Sequence, residues 1–174
     1  MKRADYHEVV DCVGVIADLT EFDPHIAGTP PLNLHVPASD IDILCYAPDP
    51  DRFTSAVWRP FGSRPNFRMW QWSGTDQPVL ATFEAHGWHL EIFGHARPVA
   101  EQTAWRHFVV ERRLLALGGQ SLASAVMAFR RNGLKTEPAF AAALKLPGDP
   151  YQTSLDMHDW ADDALTMLIG RAIE

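Results

Sequence analysis

Apolar residues recur at helical spacing from Tyr6 through Val9, Val10, Val13 and Ile16 to Ala17, which predicts a first helix broken by Asp23-Pro24. From His25 to Asp76 the text changes to strand and loop, punctuated by Pro30, Pro31, Pro37, Pro48, Pro50, Pro60 and Pro65. Within it, Ile41 to Tyr46 reads as a strand and Asn66 to Trp72 as a second candidate. Val79 to Ala85 and Trp88 to Gly94 read as a hairpin around His86-Gly87. After Ala100 the period becomes helical. One helix covers Glu101 to Leu117 and stops at Gly118-Gly119. The next is capped by Ser121, carries Leu122, Ala125, Val126 and Phe129 on one face, and stops at Gly133. Thr136 is placed to cap a short helix holding Phe140, Ala143 and Leu144, and Pro147-Gly148 ends it. A last helix is expected from about Asp156 to Ile173. A mixed sheet half followed by a helical half is α+β, without the regular alternation of a doubly wound fold.

The chain has 174 residues, 47% hydrophobic and 21% charged. That fits a single domain, with residues 1–100 as a sheet-containing half and residues 101–174 as a helical half. Fifteen basic residues against 22 acidic ones give a net charge of −7. This disfavours a nucleic-acid-coating surface and leaves room only for a local basic site. Cys12 and Cys45 are too few for a disulfide framework, which points to reduced thiols and the cytoplasm. Residues Met1 to Tyr6 are polar with no signal segment behind them, and no run is apolar enough for a membrane span.

The most informative stretch is Gly28-Thr29, then ten residues, then Asp40-Ile41-Asp42. Residues two apart on a strand share a face, about 6.6 Å apart along it, so Asp40 and Asp42 can converge while Ile41 and Ile43 face a core. Adjacent carboxylates repel unless a cation lies between them, and Mg²⁺ is held by one or two carboxylates plus substrate phosphates. The plainer reading makes Asp40 a turn residue after Ser39 and Asp42 a solvated side chain.

A two-residue turn at His86-Gly87 would set Ala85 opposite Trp88, Glu84 opposite His89 and Thr82 opposite Glu91. Glu84, His89 and Glu91 then share one face, with Phe83, Leu90 and Ile92 on the other. Glu91 is either a third metal carboxylate or a residue on the wet face of a one-sided sheet.

Other signals are weaker. Arg52, Arg59, Arg64 and Arg68 are interleaved with Trp58, Phe61, Phe67, Trp70 and Trp72 in a stretch without acids. Such a mixture can hold phosphates and stack rings, or simply supply core aromatics and solvated charges. His107 and Glu111 lie four apart on an expected helix whose apolar stripe is Ala104, Trp105, Phe108, Val109, Leu115 and Ala116, and they read first as a surface pair. Eight histidines lack zinc spacing, with no His-Glu-x-x-His and no Cys-x-x-Cys.

Gly-Ser/Thr, a spacer, Asp-x-Asp and a later strand carboxylate together resemble the nucleotidyltransferase superfamily. Longer stretches are similar to a bacterial domain family of unknown function assigned to it. These are Ala27-Gly-Thr-Pro30, Ser39-Asp-Ile-Asp-Ile-Leu-Cys45, Leu90-Glu-Ile-Phe-Gly94, Gly133-Leu-Lys-Thr-Glu-Pro-Ala-Phe140 and Gly148-Asp-Pro-Tyr151. The resemblance implies a small mixed sheet with flanking helices and a C-terminal helical portion. It implies that Asp40 and Asp42 hold Mg²⁺ or Mn²⁺ in catalysis, with Glu91 as the third carboxylate, a metal ligand or the base that activates the acceptor hydroxyl. Gly28, Thr29 and Ser39 would bind a nucleoside triphosphate, with Lys135 as a further phosphate contact. The implied reaction moves a nucleotidyl group to an unknown acceptor. One departure is visible: Pro30-Pro31 follows the Gly-Thr turn where the superfamily usually has a helix, and Leu32, Leu34 and Val36 alternate like a short strand. It motivates the alternative of a catalytically silent nucleotide- or protein-binding domain. A metal-dependent phosphohydrolase using the same carboxylates is a third reading.

Overall fold

The computed structural model describes residues 3–173. They form two compact units. One contains the chain up to Pro30 together with Ser39–Gln102; the other contains Pro31–Ala38 and the chain from Thr103 onward.

The first unit is built on a five-stranded sheet of order β1-β2-β5-β4-β3. Its strands are β1 (His25–Ala27), β2 (Ile41–Tyr46), β3 (Arg68–Gln71), β4 (Val79–Ala85) and β5 (Trp88–His95). β2 and β5 are parallel, and the other pairs are antiparallel. The hairpin register is the expected one, with Ala85 opposite Trp88, Glu84 opposite His89 and Thr82 opposite Glu91. Period two sends Ile41, Ile43 and Cys45, Ala81 and Phe83, and Leu90 and Ile92 to one face, where all are buried. Their neighbours Asp42, Thr82 and Glu91 go to the other.

Helices cover the apolar face. The first expected helix is divided. Asp5 caps α1 (Tyr6–Val13) by accepting from the His7 amide, and Gly14, at φ 78°, ends it before α2 (Val15–Asp18). A left-handed residue cannot continue a helix, and glycine takes that conformation without a Cβ penalty. Helix α3 (Pro50–Phe61) lies in the stretch read as strand and loop. Asp49 caps it by accepting from the Asp51 and Arg52 amides, and Pro50 occupies the first turn, where its missing N–H costs nothing. Phe53, Val57 and Phe61 are its buried face, and Phe61 stacks on Phe83 with ring centres 5.2 Å apart. Burying each of these phenylalanines contributes about 1.5–3 kcal/mol. Gly94 gives Phe53 its place, because any Cβ there would overlap the ring.

Leu32, Leu34 and Val36 do not form a strand. Residues 30–33 are a turn with Asn33 at φ 57°, and Leu32 and Leu34 are buried.

The second unit is helical. α4 (Thr103–Arg131) is broken at Gly119 (φ 56°, ψ −152°), where Gly118-Gly119 predicts a stop. α5 (Thr136–Ala143), α6 (Pro150–Met157) and α7 (Asp162–Ile173) pack against α4. Lys135, not Thr136, occupies the cap position of α5. The expected last helix is two. Asp149 caps α6 early, and between α6 and α7 the Arg113 guanidinium donates to the His158 and Trp160 carbonyls and to Asp162 Oδ1, at 2.9, 2.6 and 2.7 Å. These bonds hold the chain out of helical register. The buried face of α4 is also displaced from the expected stripe: it carries His107, Phe108, Val110, Glu111 and Leu114, whereas Ala104 and Ala116 are exposed. No helix among the described residues is long and apolar enough to cross a membrane.

Candidate active site

The parallel pairing of β2 with β5 sets Asp42 directly beside Glu91 on the polar face. Across β4, the same row continues to Thr82 and then Arg68. On the other side, Asp42 faces Ala27, the last residue of β1. Asp40 immediately precedes β2, and its Oδ1 lies 3.6 Å from His89 Nδ1. The structure thus brings Asp40, Asp42 and Glu91 onto one patch of two adjacent strands.

Gly28 follows β1 at φ +73°, and a Cβ there would overlap the Asp42 Oδ2 and lie 3.0 Å from its Cγ. Only a glycine lets the turn backbone approach that carboxylate so closely. The Thr29 hydroxyl donates to the Ser39 hydroxyl at 3.0 Å, and both residues are buried. The turn after β1 is therefore fastened to the entry of β2. Arg3 fastens the same entry to the hairpin. Its Nη2 donates to the Ser39 carbonyl at 2.6 Å, its Nε to the Gly87 carbonyl at 2.9 Å, and its guanidinium covers the Trp88 ring at 3.4 Å. Sequence reading missed Arg3, because nothing local marks a contact made with residues so far along the chain.

Burial first, then the Asp40 charge, pushes the Glu91 carboxyl above its ordinary range, against an opposing pull from His89. Such a group is short of positive charge. Hard carboxylate oxygens on neighbouring strands are the donor type that a divalent cation takes. Among the described residues, no three His, Cys, Asp or Glu side chains stand close enough to hold a metal ion as they lie.

Beyond Glu91 the polar face is hollowed into an open depression of about 660 Å³, lined by Asn66, Arg68, Trp70, Thr82, Glu84, His89 and Glu91. Arg68 and Trp70 come from the basic, aromatic stretch of the sequence. Phe67 and Met69, alternating with them, pack against the core, and Trp58 and Trp72 are exposed. Lys135 is exposed at the start of α5 in the helical unit.

The helical unit holds a buried polar cluster of its own. His107 and Glu111 are no surface pair: both are buried. His107 Nδ1 lies 3.1 Å from Glu137 Oε1, and Nε2 lies 3.2 Å from the Tyr151 carbonyl. Burial, reinforced by Glu137 and opposed by Arg130, holds the Glu111 carboxyl well above its usual range, and its Oε1 has no hydrogen-bond partner. Burial also works against the Glu137 carboxylate. The His107 hydrogen bond, its own backbone N–H and the His107 and Lys135 charges outweigh it and hold that carboxyl low. The signal in the sequence was Glu111 itself, an acid amid an apolar stripe.

Residues 8–157 match the family described as Domain of unknown function (DUF4269). No curated protein matches the sequence. Among solved structures, the Cid1 poly(U) polymerase with bound MgGTP is similar at a TM-score of 0.53 and 10% identity, over 72% of this chain. This chain spans 40% of that polymerase. The GLD-2/RNP-8 complex is similar at a TM-score of 0.43 and 8% identity, over 91% of this chain and 72% of that one. The first likeness shows a nucleotidyltransferase-like fold.

Proposed function

The chain belongs to the DUF4269 family, and from that premise, with its nucleotidyltransferase-like sheet, we propose that it transfers a nucleotidyl group from a nucleoside triphosphate to an acceptor hydroxyl. The observation that carries this reading is the Asp42–Glu91 pair on parallel strands, with Asp40 at the strand entry and a bare Gly28 against Asp42.

Asp40, Asp42 and Glu91 would hold Mg²⁺ or Mn²⁺. When bound, the cation supplies charge neutralisation at the triphosphate and at the attacking oxygen. The backbone of the Gly28-Thr29 turn, pinned through Ser39, presents N–H groups to the phosphates. Glu91 would stand as a ligand of that cation or as the base that accepts the proton of the acceptor hydroxyl. The acceptor oxygen forms a bond to the α-phosphorus, the bond from that phosphorus to the bridging oxygen breaks, and diphosphate leaves. Positioning and electrostatics supply most of the rate in such a displacement.

A second reading rests on one observation. A turn, not a helix, follows Gly28-Thr29 at Pro30-Pro31, so no helix dipole backs the phosphate turn. That favours a domain that binds nucleotide or protein without turnover.

Thermal unfolding with each nucleoside triphosphate, with and without Mg²⁺ or Mn²⁺, tests the proposal. A ligand at a hundred times its dissociation constant adds about 2.7 kcal/mol. The expected result is a metal-dependent rise, abolished in the Asp40→Asn/Asp42→Asn double variant. No rise with any nucleotide refutes the nucleotide site. A rise without label transfer to any acceptor selects the second reading.

A further inference from the structure

We propose that the depression on the β3 side of Glu91 is the acceptor subsite, and that it takes a hydroxyl-rich ring compound free of phosphate: a neutral or amine-bearing sugar or cyclitol. This rests on the nucleotidyl-transfer reading of the same site.

The first argument is placement. The Gly28-Thr29 turn lies on the β1 side of Asp42. The depression begins at Glu91 and runs across β4 to β3, the opposite side of the carboxylate pair. An in-line displacement sets the attacking and leaving oxygens on opposite sides of the phosphorus. With the triphosphate on the Gly28 side, the acceptor hydroxyl comes from the side of the depression.

The second argument is size. About 660 Å³ lies within the range of small-molecule sites. From Glu91 through Thr82 to Arg68 is two strand spacings, about 10 Å. One or two substituted rings span that length.

The third is chemistry. Trp70 stands on edge strand β3 and is 41% exposed, a flat apolar platform in an otherwise polar lining. Among the described residues, neither Arg68 nor Glu84 forms a side-chain ion pair or hydrogen bond, although their strands are adjacent. Glu84 and Glu91 accept hydrogen bonds from hydroxyl or ammonium groups, while Arg68 and the Asn66 amide donate to hydroxyl oxygens. A ring with hydroxyls along its edge and C–H groups on its face satisfies all of these together.

The same lining disfavours phosphate. Apart from Glu91, which the cation would share, it sets one carboxylate, Glu84, against one guanidinium, Arg68, and its His89 is turned to Asp40, so no positive charge is left over for a phosphate. A sugar phosphate or an RNA end would bring negative charge against Glu84, which a polyol or aminosugar does not.

The test uses the full chain, an α-labelled nucleoside triphosphate and Mg²⁺. The in-class probes are a set of monosaccharides, aminosugars and cyclitols including glucose, glucosamine and myo-inositol; the out-of-class probes are ribose 5-phosphate and a short uridine oligonucleotide. Label is expected in the in-class set. Trp70→Ala lowers kcat/KM for those acceptors about tenfold, and Trp70→Phe restores most of it. Glu84→Gln lowers glucosamine transfer about tenfold and glucose transfer less, because the charge-assisted bond is lost only with the amine. Both variants keep the nucleotide-dependent thermal shift of the wild type. Label in ribose 5-phosphate or the oligonucleotide but not in the sugars overturns the class. Undiminished transfer in both variants overturns the location. A nucleotide shift with no transfer to any in-class probe overturns the proposal while leaving the nucleotide site standing. Loss of that shift from the wild type itself would mark failure of the nucleotidyl-transfer reading.

Discussion

Replacing Gly28 by alanine separates two effects that the structure superimposes at one backbone position. The first is conformational. Gly28 sits at φ +73°, where a Cβ costs about 1–2 kcal/mol. The second is steric. The new Cβ would overlap Asp42 Oδ2 and stand 3.0 Å from its Cγ, so the carboxylate oxygen must retreat by about 1.3–1.9 Å to reach ordinary contact. Moving Asp42 off its rotamer adds about 0.5–1.5 kcal/mol. Gly87 in the hairpin turn, at φ +80°, isolates the first effect, because a Cβ there meets nothing nearer than Arg3 Cγ at 3.9 Å. Gly87→Ala therefore lowers stability by about 1–2 kcal/mol, and Gly28→Ala by about 1 kcal/mol more. For a chain of this size each kcal/mol shifts the unfolding midpoint by about 2–4 °C. Calorimetry on both variants and the wild type measures the difference, repeated with nucleoside triphosphate and Mg²⁺. Gly87→Ala keeps the ligand-dependent rise; Gly28→Ala loses it. Equal midpoints for the two variants, or an intact ligand response in Gly28→Ala, refutes the claim that this glycine exists to admit the Asp42 carboxylate.

Three further outcomes are expected. The folded chain keeps the Glu111 proton to higher pH than the unfolded chain, so its stabilising effect is full below the ordinary carboxylate range and is lost as pH rises toward the raised folded value. Glu111→Gln keeps the shape and removes the titration; urea midpoints of the wild type should fall relative to the variant across that window, and a pH-independent difference would count against the buried-acid account. Arg3→Ala removes the hydrogen bonds to the Ser39 and Gly87 carbonyls and the ring contact on Trp88, a loss of about 1–2 kcal/mol measurable by denaturant titration, and Arg3→Lys restores little of it because the forked contact needs a guanidinium. Gly94→Ala forces the Phe53 ring aside and costs about 1–3 kcal/mol; unchanged stability would show that the β5–α3 contact is looser than it stands here.

The strands that bear the candidate site were legible because their faces differ chemically. Ile41-Asp-Ile in β2 and Leu90-Glu-Ile in β5 alternate cleanly, and His86-Gly87 fixes the hairpin register, so Glu91 could be set opposite Thr82 without coordinates. The parallel pairing of β2 with β5, which puts Asp42 beside Glu91, could not be read that way, since nothing local specifies which distant strand a strand adopts. Helix α3 was hidden by its prolines: Pro50 starts it and Pro60 lies in its last turn, both places a helix tolerates them. The split between α6 and α7 depends on Arg113, a residue of another helix, and so leaves no mark in the apolar period. Glu111 and His107 depart from the expected surface pair because a charged residue type does not by itself require exposure: a buried histidine with partners, and an acid kept protonated, can lie inside.

The sheet ends in three residues of β1 on one side and four of β3 on the other. Every pairing-competent strand of length lies inside, and the outer N–H and C=O groups form a row too short for a neighbouring chain to dock along. Arg68 places a charge on the β3 margin as well. A chain with this arrangement guards itself against edge-to-edge aggregation, and a construction that lengthened either margin would remove the safeguard without touching a single residue of the carboxylate patch.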